Sequence, residues 1–270
     1  MTRVVELYVY PVKGCRGVRV DSASVVERGF AGDRRWMIVD ADRKFVTQRT
    51  ERRLALVRAV LGDDPVLELS APGAGAVRVP STYDAGPRRE VQVWSHVGSA
   101  VAHAEGSAWI SAFLGGPHSL VYMPDDERRP VNPERARPGD IVGFADAYPF
   151  LLISEASLAA LNARLAAPIT MQRFRPNIVV SGCKPFAEDT WAALTIGTLG
   201  FRGVKRCDRC VVTTVDPETA EPGVEPLRTL ATFRREDGKV WFGMNLIHDG
   251  PGTLSVGDEL VPGQGSAGKV

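Results

Sequence analysis

Two sets of residues in this chain have the types and spacing to do chemistry. The first is Cys207-Asp208-Arg209-Cys210. Two cysteines separated by two residues can form a redox dithiol, supply half of a zinc site, or offer one thiolate to a soft metal while the other thiol stays structural. They can also be two buried thiols with no chemistry. A redox dithiol of the thioredoxin kind needs a helix directly after the pair. The β-branched run Val211-Val212-Thr213-Thr214-Val215 instead predicts a strand. A zinc site needs further thiolates or imidazoles. Cys15 and Cys183 lie far away in sequence, and His96, His103, His118 and His248 show no ligand spacing. The second set is cationic. Lys13, Arg34, Arg35, Arg173, Arg175 and Arg209 fall at expected strand ends and turns, several beside glycines such as Gly14 and Gly32. Cations and exposed backbone amides at such places suit a phosphate or pyrophosphate. Each alone is more commonly a solvated surface charge; their company with the cysteine pair is what gives them weight.

These residues need elements to hold them, and the pattern is mainly β. Val4–Tyr10 reads as a strand stopped by Pro11, and Val18–Val26 alternates until Gly29. Arg35–Asp40 and Phe45–Arg49 read as a hairpin. Short strands are expected at 57–61, 66–70, 77–80 and 90–94. More follow at 177–181, 193–196, 199–204, 211–215, 240–245 and 253–261. The apolar run 148–153 also has strand length. Two helices are expected, at 107–114 before Gly115-Gly116 and at 154–165 with Ser154 as N-cap. The fold class is therefore mainly β with a few helices (α+β), in two halves, the short antiparallel strands arguing for a barrel or a sandwich. The Pro- and Arg-rich stretch 125–140 reads as a surface loop between them, and 217–226 as a long loop.

The 270 residues are 44% hydrophobic and 24% charged, as in ordinary globular chains. Acids and bases nearly cancel, 32 against 33, which speaks against a nucleic-acid-binding surface. Only six of the cations are lysine, so most positive charge sits on arginine, the side chain suited to forked anion contacts. Four cysteines are too few for a disulfide framework, and no stretch approaches the ~20 apolar residues of a membrane helix. No signal peptide is evident, so a cytoplasmic location is expected. Walker, dinucleotide, Gly-x-Ser-x-Gly and His-Glu-x-x-His motifs are absent.

Six strings, in order, resemble the MOSC family of molybdenum-cofactor proteins, in particular the branch of the amidoxime-reducing components. They are Tyr10–Val18, Gly32–Asp40 with Thr47-Gln48-Arg49, Leu152–Leu158 with Asn162, Arg173–Val179, Cys207–Cys210 with Thr213–Pro217, and Phe242–Asn245 with Val256-Gly257-Asp258. The resemblance implies a MOSC N-terminal β-barrel domain over residues 1–120, a MOSC domain over 121–262 and a flexible tail over 263–270. It implies the molybdenum cofactor (Mo-molybdopterin), with Cys210 as metal ligand and Cys207 and Cys183 as supporting thiols. Lys13, Arg34, Arg173, Arg175 and Arg209 are implied contacts to the pterin and its phosphate, and Ser154 and Asn177 hydrogen-bonding candidates. Two positions depart from the family pattern. Gly14 stands where serine is common, so its amide replaces a hydroxyl. Asp208 stands where serine is common, and its carboxylate is a candidate proton relay at the substrate opening.

The activity implied is reduction of small N-hydroxylated compounds (amidoximes, hydroxylamines, N-oxides), the N–O bond being broken. The alternative is a non-catalytic carrier of the cofactor or its sulfur. Electrons are expected from a separate donor, a ferredoxin or a cytochrome b-type protein with its reductase. A monomer is expected, with neither nucleic acid nor membrane as partner.

Overall fold

A computed structural model describes residues 1–61 and 65–263. Of the tail expected at 263–270, residues 264–270 lie outside the described residues. In the first half, the elements are β1 (Thr2–Val9), β2 (Val18–Val20), β3 (Ser22–Val26), β4 (Gly29–Phe30), β5 (Trp36–Val39), β6 (Arg58–Leu61), β7 (Val66–Ala71), β8 (Gly75–Pro80), β9 (Arg88–Val93), β10 (His96–His103), α1 (Ala104–Leu114) and β11 (Ser119–Tyr122). The second half contributes β12 (Phe150–Ser154), α2 (Glu155–Asn162), β13 (Ile178–Ser181), β14 (Ala193–Ile196), β15 (Leu199–Asp208), α3 (Leu227–Phe233), β16 (Arg235–Glu236), β17 (Lys239–His248), β18 (Gly252–Ser255) and β19 (Glu259–Pro262). The chain is thus mostly strand with three α-helices among the described residues.

Seven strands close a barrel in the order β12-β13-β1-β19-β14-β15-β17, with β17 pairing back onto β12. The β12–β13 pair is parallel and the rest antiparallel. The first strand of the chain therefore sits inside the barrel built by the second half, between β13 and β19. Alternation explains the apolar run at 148–153. Phe150 and Leu152 of β12 enter the barrel core with Val4, Leu7, Ile178 and Phe201, while Leu151 and Ile153 pack outside with Tyr8, Tyr10, Phe174 and Phe242. A strand buried on both faces loses the polar half of its alternation.

The first half forms two smaller sheets, β5-β11-β10-β9 and β6-β7-β8. Trp36, Ile38, Leu54, Leu67, Ile110 and Leu120 form their shared core. Helix α1 ends at Gly115, whose φ of 73° is the left-handed value that favours glycine at that position.

Several expected elements differ. The segment expected as a strand at 211–215 is a single 3-10 turn over Val211–Thr214. Thr213 Oγ1 donates to the Cys210 carbonyl and Thr214 Oγ1 to that of Val211, so the hydroxyls outweigh β-branched propensity. Strands β10 and β11 and helix α3 were not anticipated; α3 follows the expected 217–226 loop directly. The alternating run 18–26 is split at Asp21, and 253–261 is split around Gly257. The 125–140 stretch is not merely surface: Arg129 is 6% exposed and Val131 2%. No helix among the described residues is long and apolar enough to cross a membrane.

Candidate functional site

A cavity of about 370 Å³ opens where loops of the first half meet the barrel. Lys13, Gly14, Arg34, Arg175, Asn177, Asp208, Arg209 and Cys210 all line it. Seven cationic side chains line it against two carboxylates, Asp146 and Asp208.

Lys13 follows β1, and its amide is fixed by the Trp36 carbonyl at 2.8 Å. Its Nζ donates to the Phe144 carbonyl at 2.8 Å and pairs with Asp146. Burial pushes the Lys13 ammonium down to about 8. The loop carrying both partners is held by the buried Arg129, which donates to the carbonyls of Gly143, Ala145 and Asp146 at 2.7, 2.6 and 3.0 Å. Gly14 has a φ of 84°, and a Cβ there would come within 3.1 Å of Leu54 Cδ1. Both facts favour glycine over the serine expected from resemblance.

Arg34 and Arg175 both stack on Tyr10. Their guanidinium carbons lie 4.3 and 4.4 Å from the centroid of the Tyr10 ring. Both residues hold left-handed backbone, φ 46° and 57°. That costs about 1–2 kcal/mol each for a residue with a Cβ. Strain of this kind concentrates at functional sites. Asp33, 3% exposed, accepts from Arg34 Nη1 at 2.6 Å, Tyr10 N at 2.8 Å and Asn177 Nδ2 at 3.1 Å. Burial pushes the Asp33 carboxyl up despite the Arg34 charge beside it. Asn177 Oδ1 accepts from Arg34 Nη1 at 2.9 Å. Asn177 therefore aims Arg34; its own amide is already bonded to Tyr8 O and Asp33.

The cysteine pair closes the other side. Cys207 is in β15 and Cys210 caps the 3-10 turn. The sequence ground for setting aside a redox dithiol, a following strand, is thereby removed. What replaces the pair's separated readings is geometry: each sulfur faces a different arginine. Arg209 Nη1 donates to Cys207 Sγ at 2.9 Å and Nη2 to the Phe174 carbonyl at 2.8 Å. Arg49 Nη2 donates to Cys210 Sγ at 3.1 Å. Asp208 is exposed at the rim, paired through the ladder with Trp241. Among the described residues no group of three His, Cys, Asp or Glu side chains could hold a metal, so a zinc site built by protein ligands alone has no support here. Cys15 is fully buried, its thiol pushed up by burial to about 12.

Two expected ligand contacts are placed elsewhere. Ser154 is fully buried and does not line the cavity. It caps α2 by accepting from Ser157 N at 3.1 Å, and its hydroxyl meets the buried Glu188 at 3.0 Å. Arg173 faces a neighbouring cavity of about 390 Å³. It bonds the Thr214 carbonyl at 3.2 Å and Asp216 at 2.8 Å, bracing the segment after Cys210. Sequence reasoning did not single out Arg49, Asp146 or Asn245, which line the cavity. Arg49 had a signal, the Thr47-Gln48-Arg49 string; Asp146 sits in an Ala-Asp-Ala loop with none.

The lining fits a ligand with a phosphate and a soft metal. It holds an excess of cations, an exposed-capable thiol, and one unpaired donor: Arg209 Nε is buried without a hydrogen-bond partner. A buried guanidinium nitrogen left unpaired costs free energy that an incoming acceptor relieves.

Comparison with known proteins agrees with this architecture. Residues 1–117 match the MOSC N-terminal beta barrel domain and residues 139–261 the MOSC domain. The chain is 37% identical to human mitochondrial amidoxime-reducing component 1 over 278 residues, covering 95% of this chain and 82% of that protein. It is 35% identical to the mouse protein of the same name, covering 95% of this chain and 81% of that protein. It is also 31% identical to zebrafish molybdenum cofactor sulfurase, covering 95% of this chain but 34% of that protein. With both domains present in order and such identity along nearly its whole length, the chain belongs to the MOSC-domain family that includes the mitochondrial amidoxime-reducing components.

Proposed function

We propose that this protein is a reductase of N-hydroxylated compounds that works with a molybdenum cofactor held in the 370 Å³ cavity. One observation carries the reading: a cysteine thiol, the buried Lys13 and several half-buried arginines line the same cavity. When bound, the cofactor supplies the two-electron chemistry that breaks an N–O bond. The chain's residues do the rest. Cys210 offers the thiolate, a soft donor suited to a sulfur-rich metal shell. Lys13, Arg34 and Arg175 would hold the anionic phosphate, and Arg34 is aimed by Asp33 and Asn177. Arg209, with its unpaired Nε, offers a donor to the ligand. Asp208 at the rim holds or passes a proton at its carboxylate. Electrons come from a separate donor protein, a ferredoxin or a cytochrome b-type protein with its reductase. The four cysteines of the sequence do not have the spacing of an iron–sulfur cluster.

The test is elemental analysis with pterin fluorescence on freshly purified protein, followed by turnover of benzamidoxime with an artificial electron donor. Stoichiometric molybdenum and turnover are expected, and Cys210→Ala is expected to lose both the metal and the activity. A Cys210→Ala protein that keeps molybdenum and full activity would overturn the assignment. Similarity to a cofactor sulfurase favours a second reading, a carrier of the cofactor or its sulfur. Bound cofactor without turnover selects it.

A further inference from the structure

Cys210 is not the only residue of its neighbourhood with an unusual contact. Arg49 comes from the first half of the chain, at the end of the Thr47–Arg49 loop, where its amide donates to Thr47 Oγ1 at 3.0 Å. Its guanidinium lies 5.0 Å from the Trp94 ring centroid, and Trp94 holds a left-handed φ of 55°. Trp94 is fixed in turn by packing on Phe45, with centroids 5.0 Å apart, and by donating from Nε1 to Asp146 at 3.3 Å. Among the described residues Arg49 has no carboxylate within ion-pair distance. Its one side-chain hydrogen bond runs to Cys210 Sγ, at 3.1 Å. An arginine at a surface ordinarily pairs with a carboxylate or stays solvated. Here a strained tryptophan platform turns it onto a sulfur.

We propose that Arg49 is a positioning residue for the Cys210 sulfur: it orients the sulfur and withdraws electron density from it, across the boundary between the two halves. The inference rests on the assignment of Cys210 as metal ligand. Hydrogen bonds to a ligand atom fix its direction and set the electron richness of the metal it serves. Donors to thiolate sulfur raise the reduction potential of the centre. Asp146 extends the arrangement, because the carboxylate that receives Trp94 Nε1 also pairs with Lys13. The thiol side and the cationic side of the cavity thus share one support.

The experiment compares wild type, Arg49→Met and Arg49→Lys. Methionine keeps an apolar stem against Trp94 and removes every donor; lysine keeps the charge without the fork. Molybdenum content per chain, the g-values of the Mo(V) electron paramagnetic resonance signal and the midpoint potential are measured on each. R49M is expected to keep the melting temperature, to change the g-values and to shift the potential downward or lose metal. R49K is expected to fall between it and wild type. Wild-type metal content with unchanged g-values and potential in R49M overturns the inference and leaves the functional reading intact. A wild-type protein devoid of molybdenum overturns both.

Discussion

Lys13 carries the most legible pH dependence at the scale of single residues. Burial lowers it to about 8 from the ordinary 10.5. Between those values the unfolded chain binds the proton that the folded chain has lost, so folding stability rises with pH across that window. Affinity for an anion runs the other way, since a neutral amine attracts none. Sulfate, whose charge does not change in this range, is the probe. Its affinity for the cofactor-free protein is expected to fall as pH rises through about 8, while Lys13→Arg holds it flat. A flat wild-type profile means that Lys13 is not the anion contact. Asp208 offers a separate test. If its carboxylate relays protons, Asp208→Asn removes one limb of the pH–rate profile; an unaltered profile sinks that role and leaves Asp208 as a rim charge.

Ser154 makes the sharpest prediction among the elements. Its hydroxyl caps α2 and meets Glu188, which is fully buried. Ser154→Ala is expected to cost about 2–4 kcal/mol, a cap of ~1 plus a buried carboxylate that loses a donor. Urea denaturation measures it. Cofactor content of the folded fraction is expected to be unchanged; a stable variant lacking cofactor would return Ser154 to the ligand. The same element shows what the sequence makes legible. Ser154 followed by Leu158, Leu161 and Leu165 marks a capped helix, and the helix is there. The strand-length apolar run at 148–153 is β12. Segment 211–215 was misread because β-branched composition speaks for a strand, while the decisive hydroxyl-to-carbonyl bonds of Thr213 and Thr214 are visible only in three dimensions. For the cavity, the cations and cysteines were legible as types. The Arg49 contact joins positions 161 residues apart, and the Asp146 contact to Lys13 joins positions 133 apart. No local pattern announces such pairings.

The whole molecule is tied together by β1. Its Arg3 pairs with Ser181 on one side and Glu259 on the other, so the barrel of the second half is incomplete without the first nine residues. A chain beginning at residue 121 is expected to show no cooperative unfolding transition by circular dichroism. Adding residues 1–9 through a flexible linker to its other end is expected to restore one. An independently folded 121–262 fragment would show that the barrel tolerates an open seam.

The position of β1 also orders events during synthesis. Of the described strands the ribosome makes β1 first, yet its neighbour β19, Glu259–Pro262, is made last. Until then the Thr2-Arg3 end of β1 lacks its partner on that side, although β2 pairs with Leu7–Val9. The cavity waits as well, since its walls run from Lys13 to Asn245. Any group that needs all of those walls can be loaded only after translation has passed the last of those residues.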